Sequence, residues 1–336
     1  MPSEKVTSIQ VAKAAGVSQS AVSRVFTPGA SASPKTIEKV KRAANELGYR
    51  PNVIARSLMT GKSRIIGLVV AYLDNQFYPD VVEKLSKGLQ AEGYHVLVLM
   101  AEQTANNTDD LLEKILDYQV DGIVLASVAM SSQLALRCDA EGVPVVLFNR
   151  TQDNEILSSV TSDNLAGGRK AAEHLVEQGY SRIAYIAGWS GASTQRDREA
   201  GFCEGLAAAG VSLFAREEGN FHFEQAKLAA RQMFSVDEKP DAVFVCNDHM
   251  AFAVMDVLRD ELNLRIPEDV AVVGYDDVTA AAWGSYKLTS VRQPANRMVE
   301  QTITTLLSQI ENDDAPPLRL AIDGPLVVRR SSVKAQ

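Results

Sequence analysis

Arg198, Asn247 and Asp276 each sit at or just beyond the end of a short apolar run or helical start, in REAGF, CNDHMA and VVGYDD. A guanidinium donates paired hydrogen bonds, a carboxylate accepts them, and an amide does both. Together they suit a polyhydroxylated ligand whose C–H faces are covered by aromatic side chains. Phe77, Ser127, Asn149 and Asp163 occupy comparable places after other apolar runs. Each residue also has an ordinary structural use. Asn247 and Asp248 can cap a helix, Arg198 can be a solvated helix residue, and Asp276-Asp277 can stabilise a turn. It is their joint position at equivalent strand ends that favours a binding site.

The elements behind them are short apolar runs: RIIGLVV (64–70), HVLVLM (95–100), GIVLAS (122–127), VPVVLF (143–148), RIAYIAG (182–188), AVFVC (242–246) and VAVVG (270–274). Helical stretches separate them, as a doubly wound parallel sheet requires. Two such series predict two α/β lobes, with a change of lobe near SVTSDN (159–164) and a return through LTSVRQP (288–294). Ligands of such sheets bind beyond the carboxyl ends of the strands, here across an interlobe cleft. No GxGxxG or GKS/T loop follows any strand, so a nucleotide gains no support.

A different module precedes the lobes. The segment VTSIQVAKAAGVSQSAVSRVF (6–26) places Ile9, Val11, Ala12 and Ala15 on one short helix. Ala21, Val22 and Val25 form the inner face of a second helix that Ser18 can cap. Gly16 supplies the left-handed turn between them, which makes a helix-turn-helix. Gln19, Ser20, Ser23 and Arg24 then face outward, where they can meet base edges and phosphates or simply water. Ser33-Pro34 opens a third helix with Ile37, Val40, Ala44 and Leu47 inward and Gly48 as its stop. Residues 1–64 hold eleven Lys/Arg against three acids, a charge of +8 beside −16 for the rest of the chain. That split points to a module for a polyanion on an acidic body.

The two segments VTSIQVAKAAGVSQSAVSRVF and YRPNVIARSLMTGKS (49–63), at this spacing, resemble the headpiece and hinge of the LacI family of bacterial transcriptional repressors. REAGF, CNDHMA and VVGYDD resemble its effector-domain motifs, so the resemblance covers nearly the whole chain. It implies a small all-α helix-turn-helix headpiece (1–48), a hinge helix (49–63) and a two-lobed α/β effector domain like the periplasmic sugar-binding proteins (64–336). The first lobe would hold about 64–161 and 292–323, the second about 162–291 and 324–336. It also implies that Gln19, Ser20 and Arg24 read the major groove, with Thr7, Ser18 and Tyr49 beside the DNA. Leu58 would wedge into the minor groove with Asn52 and Ala55 near it on a hinge that folds on binding. In the cleft, Arg198, Asn247 and Asp276 would hold effector hydroxyls. Phe77 and Tyr78 would form one wall, Asn149 would stand where an acid is frequent, and Phe221 would cover the ligand. Gln293 lies on the returning crossover, and Trp189 and Trp283 are further stacking candidates. SYKLTSV departs from the family, which often has a proline before that strand.

The expected function is thus a repressor whose affinity for palindromic operator DNA responds to a small carbohydrate, a mono- or disaccharide bound between the lobes. A purine or phosphorylated sugar is the alternative effector. A transport-type binding protein would need a secretion signal, and the N-terminus has no apolar signal core. Enzyme chemistry finds no HExxH, no GxSxG and no separated acid pair. Cys138, Cys203 and Cys246 lack CxxC spacing, so neither metal nor cofactor is expected and a cytoplasmic location is. No apolar stretch is long enough for a membrane. A homodimer is expected, since no leucine heptad follows PLVVRRS (325–331) to build a larger bundle.

Overall fold

The computed structural model describes residues 6–26, 30–50, 62–101, 105–153, 156–312 and 314–334. Two compact units divide the chain, residues 1–64 and 65–336. In the first, α1 (Ser8–Ala15), α2 (Gln19–Phe26) and α3 (Pro34–Leu47) share one small core. Thr7 and Gln10 form a reciprocal capping box at the start of α1. Gly16 ends α1 at φ +65°, a conformation that any Cβ would strain. Ser18 Oγ accepts from the Ala21 N–H to open α2, and Ser33 caps α3 ahead of Pro34.

The core consists of Val11, Ala12, Ala15, Val22, Val40, Ala43 and Ala44. Of the other residues expected inward, Ala21, Val25 and Ile37 are half-buried, whereas Ile9 is 62% exposed and Leu47 39% exposed. Three helices of 8, 8 and 14 residues bury only the turns where they cross, so apolar residues at their far ends stay wet. Ala43 and the partly buried Val17 fill the space instead. The expected hinge helix, with Asn52, Ala55 and Leu58, lies outside the described residues.

The second unit contains two six-stranded sheets. The first runs β11-β5-β4-β3-β1-β2 and the second β12-β10-β9-β8-β6-β7. Their strands are β1 (Ile65–Val70), β2 (His95–Met100), β3 (Gly122–Ala126), β4 (Val145–Phe148), β5 (Ser158–Ser162) and β11 (Arg319–Ile322) in one. In the other are β6 (Ile183–Ala187), β7 (Ala215–Glu218), β8 (Ala242–Val245), β9 (Ala271–Asp276), β10 (Thr289–Arg292) and β12 (Leu326–Val327). All pairings are parallel except β10 with β12. In both sheets the first strand of the lobe lies inside the second, leaving a topological switch point between the first and third strands.

The helices around the first sheet are α4 (Phe77–Ala91), α5 (Ala105–Leu116) and α6 (Ser132–Ala140). Those of the second are α7 (Asn164–Glu177), α8 (Ser193–Ala208), α9 (Phe223–Phe234) and α10 (Asp248–Asp256). After β10 the chain crosses back, and α11 (Ala295–Glu311) packs on α4 and the first sheet. Every apolar run noted in the sequence contains a strand. β5 and β7 carry no such run and were not visible as strands: β5 is SSVTS, read only as a lobe change, and β7 is AREE. Ser158 shows how a polar buried strand is tolerated, because its hydroxyl accepts from Gln309 Nε2 and the Leu318 N–H.

The α7–α8 contact positions Arg198. A Cβ on Gly201 would lie 1.9 Å from the Leu165 carbonyl oxygen, and one on Gly168 2.2 Å from the Arg198 carbonyl oxygen. Backbone cannot yield there as a flexible side chain would. Gly201→Ala is therefore expected to destabilise the chain by about 3 kcal/mol. Calorimetric melting should show a loss of roughly 6 °C or more; an unchanged melting temperature would contradict this packing.

Candidate ligand-binding cleft

The carboxyl ends of the two sheets face each other, and the residues following the strands meet there. Arg198 enters from the first turns of α8 and is 2% exposed. Its Nε donates to Asn164 Oδ1 at 2.8 Å and its Nη1 to the Cys246 carbonyl at 2.7 Å. The guanidinium lies 3.6 Å from the centroid of the Tyr275 ring, and its Nη2 is 3.7 Å from Asp276 Oδ1. Asp276, 4% exposed, accepts from Gln293 Nε2 at 2.7 Å and from Asn75 Nδ2 at 3.2 Å. The Asn75 bond joins the two lobes, since Asn75 follows β1 and Asp276 ends β9.

Opposite stands a first-lobe cluster. Asn149 Nδ2 donates to Tyr78 Oη at 2.9 Å and approaches Ser127 Oγ at 3.4 Å. The Tyr78 and Ser127 hydroxyls bond each other directly. Phe77 packs on both Tyr78 and Phe148, with ring centroids 5.4 and 6.3 Å apart. Phe221, 5% exposed, lies over Gly188, where a Cβ would come within 2.3 Å of its ring. Ser127, Asn149, Phe221 and Asp276 all have positive φ, at 58°, 70°, 64° and 119°. Non-glycine residues held in that region concentrate at ligand clamps, where the surroundings over-determine them.

Burial sets the electrostatics. It pushes the Asp276 carboxyl up, while Arg198, Gln293 and Asn75 pull it back. The neighbouring Asp248, fully buried, is pushed well above the carboxylate range by burial and then by Asp276. Its oxygens accept from Ser290 Oγ at 2.7 Å and the Val278 N–H at 2.9 Å. Burial opposes the charge on Arg198, yet Tyr275 and Asp276 hold its pKa above the ordinary arginine value.

Thus Phe77, Tyr78, Ser127, Asn149, Arg198, Phe221, Asp276 and Gln293 line the facing strand ends, all of them buried. Asn247 is there too, but its Oδ1 caps α10 by accepting from the Met250 N–H. Asp163 spends a carboxylate oxygen capping α7 through the Ala166 N–H, and its neighbour Asn164 is the residue on Arg198. Trp189 is 37% exposed, with the Arg150 guanidinium 5.7 Å from its ring. Trp283 is 54% exposed on the loop after β9, a poor place for a covered stacking face.

Sequence reasoning missed Asn75, Asn164 and Arg150. Arg150 was within reach of the strand-end rule, since it follows Asn149 directly after β4. It is 7% exposed and its guanidinium lies 6.0 Å from the Phe221 ring, across the lobe boundary. Its Nε has no hydrogen-bond partner among the described residues, and neither have Asn149 Oδ1 and Gln293 Oε1. No group of His, Cys, Asp and Glu among the described residues could hold a metal ion, and no described helix is long and apolar enough to cross a membrane.

In the other unit, Gln19, Ser20 and Arg24 are exposed on α2. Gln19 Nε2 donates to Ser8 Oγ at 3.1 Å, and Ser18 and Ser20 share a hydroxyl bond of 2.9 Å. Arg24 is exposed, and among the described residues its Nε bonds the Ser20 carbonyl at 3.4 Å. Thr7 is occupied in the α1 capping box, and the Tyr49 ring packs 5.9 Å from Phe26.

Comparison with known proteins matches residues 9–52 to bacterial regulatory proteins of the lacI family and residues 172–333 to a periplasmic binding protein-like domain. The HTH-type transcriptional regulator CelR of Thermobifida fusca is 36% identical over 330 residues, 96% of each chain. The HTH-type transcriptional repressor PurR of Vibrio atlanticus (strain LGP32) is 31% identical over 327 residues, covering 96% of this chain and 97% of that one. Among solved structures, a CelR–cellobiose complex is 34% identical with a TM-score of 0.74, covering 97% of this chain and all of that one. The lac repressor dimer bound to operator and the anti-inducer ONPF is 28% identical with a TM-score of 0.89, covering 98% and 100%.

Proposed function

Because the chain belongs to the lacI family of bacterial regulatory proteins and is accordingly a DNA-binding transcriptional repressor, we propose that its operator affinity is set by a small carbohydrate bound between the lobes. The observation that carries this reading is the trio of unpaired buried atoms, Asn149 Oδ1, Arg150 Nε and Gln293 Oε1, beside the Arg198–Asp276 pair. Buried polar atoms call for partners. Two are acceptors and one is a donor, and a ring of hydroxyls serves both because each hydroxyl donates and accepts. Phe77, Tyr78 and Phe221 offer aromatic surface to the C–H faces between hydroxyls. The likeness to a CelR–cellobiose complex supports a sugar, and the likeness to PurR keeps a purine as the competing effector.

The protein acts in the cytoplasm as a homodimer on a palindromic operator, each headpiece meeting one half-site. Sugar occupancy changes how the lobes close, and the two closures differ in how well they hold both hinges in their DNA-binding form. This coupling requires that the sugar prefer one closure. Leu58, with Asn52 and Ala55, is assigned to the minor groove in that form. A thermal-shift screen of mono- and disaccharides, phosphorylated sugars and purines tests the effector class. At a hundred times its Kd, the effector adds about 2.7 kcal/mol, a rise of roughly 5 °C. A neutral carbohydrate hit supports the reading, and a shift with purines alone overturns it.

Gln19 and Ser20 are assigned to reading base edges. Exchanging them should change which operator is preferred by roughly 1–3 kcal/mol per affected base pair. Selection from random duplexes checks this, and equal weakening on every sequence would remove Gln19 from the readers.

A further inference from the structure

Arg198 and Arg150 are both buried at the cleft, and they differ in what balances their charge. Arg198 faces Asp276 at 3.7 Å. Arg150 is 7% exposed, and among the described residues no carboxylate forms an ion pair with it. Its Nε has no hydrogen-bond partner there either. A buried cation without a counter-charge is costly. We infer that the effector carries a carboxylate, as a sugar acid does, and that Arg150 is the residue that selects it over a neutral sugar. The inference rests on the carbohydrate reading above and adds one charge to that ligand.

The place of Arg150 is set in advance. On one side of it the Asn149 N–H donates to the Val160 carbonyl at 2.9 Å, within the first lobe. On the other the Thr151 N–H donates to Ser193 Oγ at 2.9 Å, in the second lobe. From this pinned backbone the guanidinium lies 5.7 Å from the Trp189 ring centroid and 6.0 Å from that of Phe221. A ring face attracts the cation but carries no charge to neutralise it. A carboxylate does, and its two oxygens match the guanidinium fork in paired bonds. The adjoining Asn149 Oδ1, buried and unpaired among the described residues, accepts from a hydroxyl, and a sugar acid carries hydroxyls close to its carboxylate. The charge count narrows the class further. Asp276 is matched by Arg198, and Asp277 by Arg292 at 2.7 Å. Burial pushes the neighbouring Asp248 well above the carboxylate range, so it adds little negative charge. One positive charge remains, which a single carboxylate matches. A phosphoryl group brings about −1.5 to −2 and exceeds it.

Titration calorimetry on the full chain with matched probes tests this. The pairs are glucose and glucuronate, galactose and galacturonate, mannose and mannuronate, and cellobiose and cellobionate, with glucose 6-phosphate beside them. At least one acid should bind about tenfold or more tightly than its neutral counterpart. Arg150→Gln should bring that ratio below about twofold, with melting curves on the same sample to show that it is folded. Arg150→Lys keeps the charge without the fork and should retain only part of the ratio. If the glutamine variant does not fold, a ratio in the lysine variant equal to that of wild type overturns the assignment. A neutral sugar that binds wild type as tightly as its acid overturns the inference and leaves the carbohydrate reading standing. So does an acid preference that survives whole in folded Arg150→Gln. Glucose 6-phosphate binding more tightly than every acid overturns the carboxylate. Heat from none of the carbohydrates, acidic or neutral, overturns both readings.

Discussion

Arg198→Met abolishes the response to sugar and lowers the melting temperature, whereas Asp276→Asn abolishes the response with a smaller loss of stability. Arg198 holds Asn164 Oδ1 and the Cys246 carbonyl, sits on Tyr275 and faces Asp276. Methionine fills similar space but leaves a carboxylate and an amide oxygen buried without their cation. Breaking a buried ion pair from one side costs about 3–5 kcal/mol, or roughly 10 °C for a domain of this size. Asp276→Asn keeps the volume, and the Arg198 cation it leaves still has Asn164 Oδ1, the Cys246 carbonyl and the Tyr275 ring, so the loss is smaller. Both variants lose charge-assisted bonds to the ligand worth about 1.5–3 kcal/mol each, hence about a hundredfold or more in affinity. Calorimetry with the sugar and melting curves on the same samples check the two effects. Wild-type sugar affinity in both variants would place the ligand elsewhere. Weak binding in both, accompanied by equal collapse of stability, would reduce the pair to a structural role.

Arg24→Ala weakens operator binding about a hundredfold or more. The residue is exposed on α2, and the bond its Nε makes among the described residues is a 3.4 Å one to its own helix, so its guanidinium can reach DNA. A contact of this kind is worth about 1–3 kcal/mol, and a dimer on a palindrome loses it twice. The +8 charge of residues 1–64 also makes binding salt-dependent, with a slope near −0.9 for each phosphate neutralised. If Arg24 contacts a phosphate, the slope for the variant becomes shallower by about one per headpiece. If it contacts a base, the slope stays and the sequence preference relaxes. Gel shifts at several salt concentrations separate these cases, and unchanged affinity at all of them would remove Arg24 from the interface.

What the sequence made legible followed apolar patterning. Buried strands such as IIGLVV and AVVGYD have few other states open to them, and the polar residues at their ends stand out by contrast. That is why Asn149 and Asp276 could be named from type and place, whereas Arg198, expected at a strand end, lies in α8, eleven residues beyond β6. β5 could not, because Ser158, Ser159, Thr161 and Ser162 are buried through hydrogen bonds and tertiary packing that no local period encodes. The same limit hid Asn75 and Asn164, whose importance comes from what they touch, Asp276 and Arg198, 201 and 34 residues away. Asp163, a carboxylate that follows a strand and so reads as a ligand group, spends one oxygen capping α7. In the headpiece, periodicity placed Ile9 and Leu47 inside because it cannot report how little of a short helix a three-helix core covers.

The central claim is that a ligand held by Asp276 changes affinity for DNA through the two lobes. Fluorescence anisotropy of the selected operator duplex, titrated with wild type and with Asp276→Asn in the presence and absence of the best-binding carbohydrate, tests it most directly. Wild type should change its operator Kd by about tenfold or more on adding the sugar, while Asp276→Asn binds operator as wild type does without sugar and does not respond. An operator affinity in wild type that is the same with saturating sugar as without it would contradict the claim, and so would an Asp276→Asn chain that responds as fully as wild type.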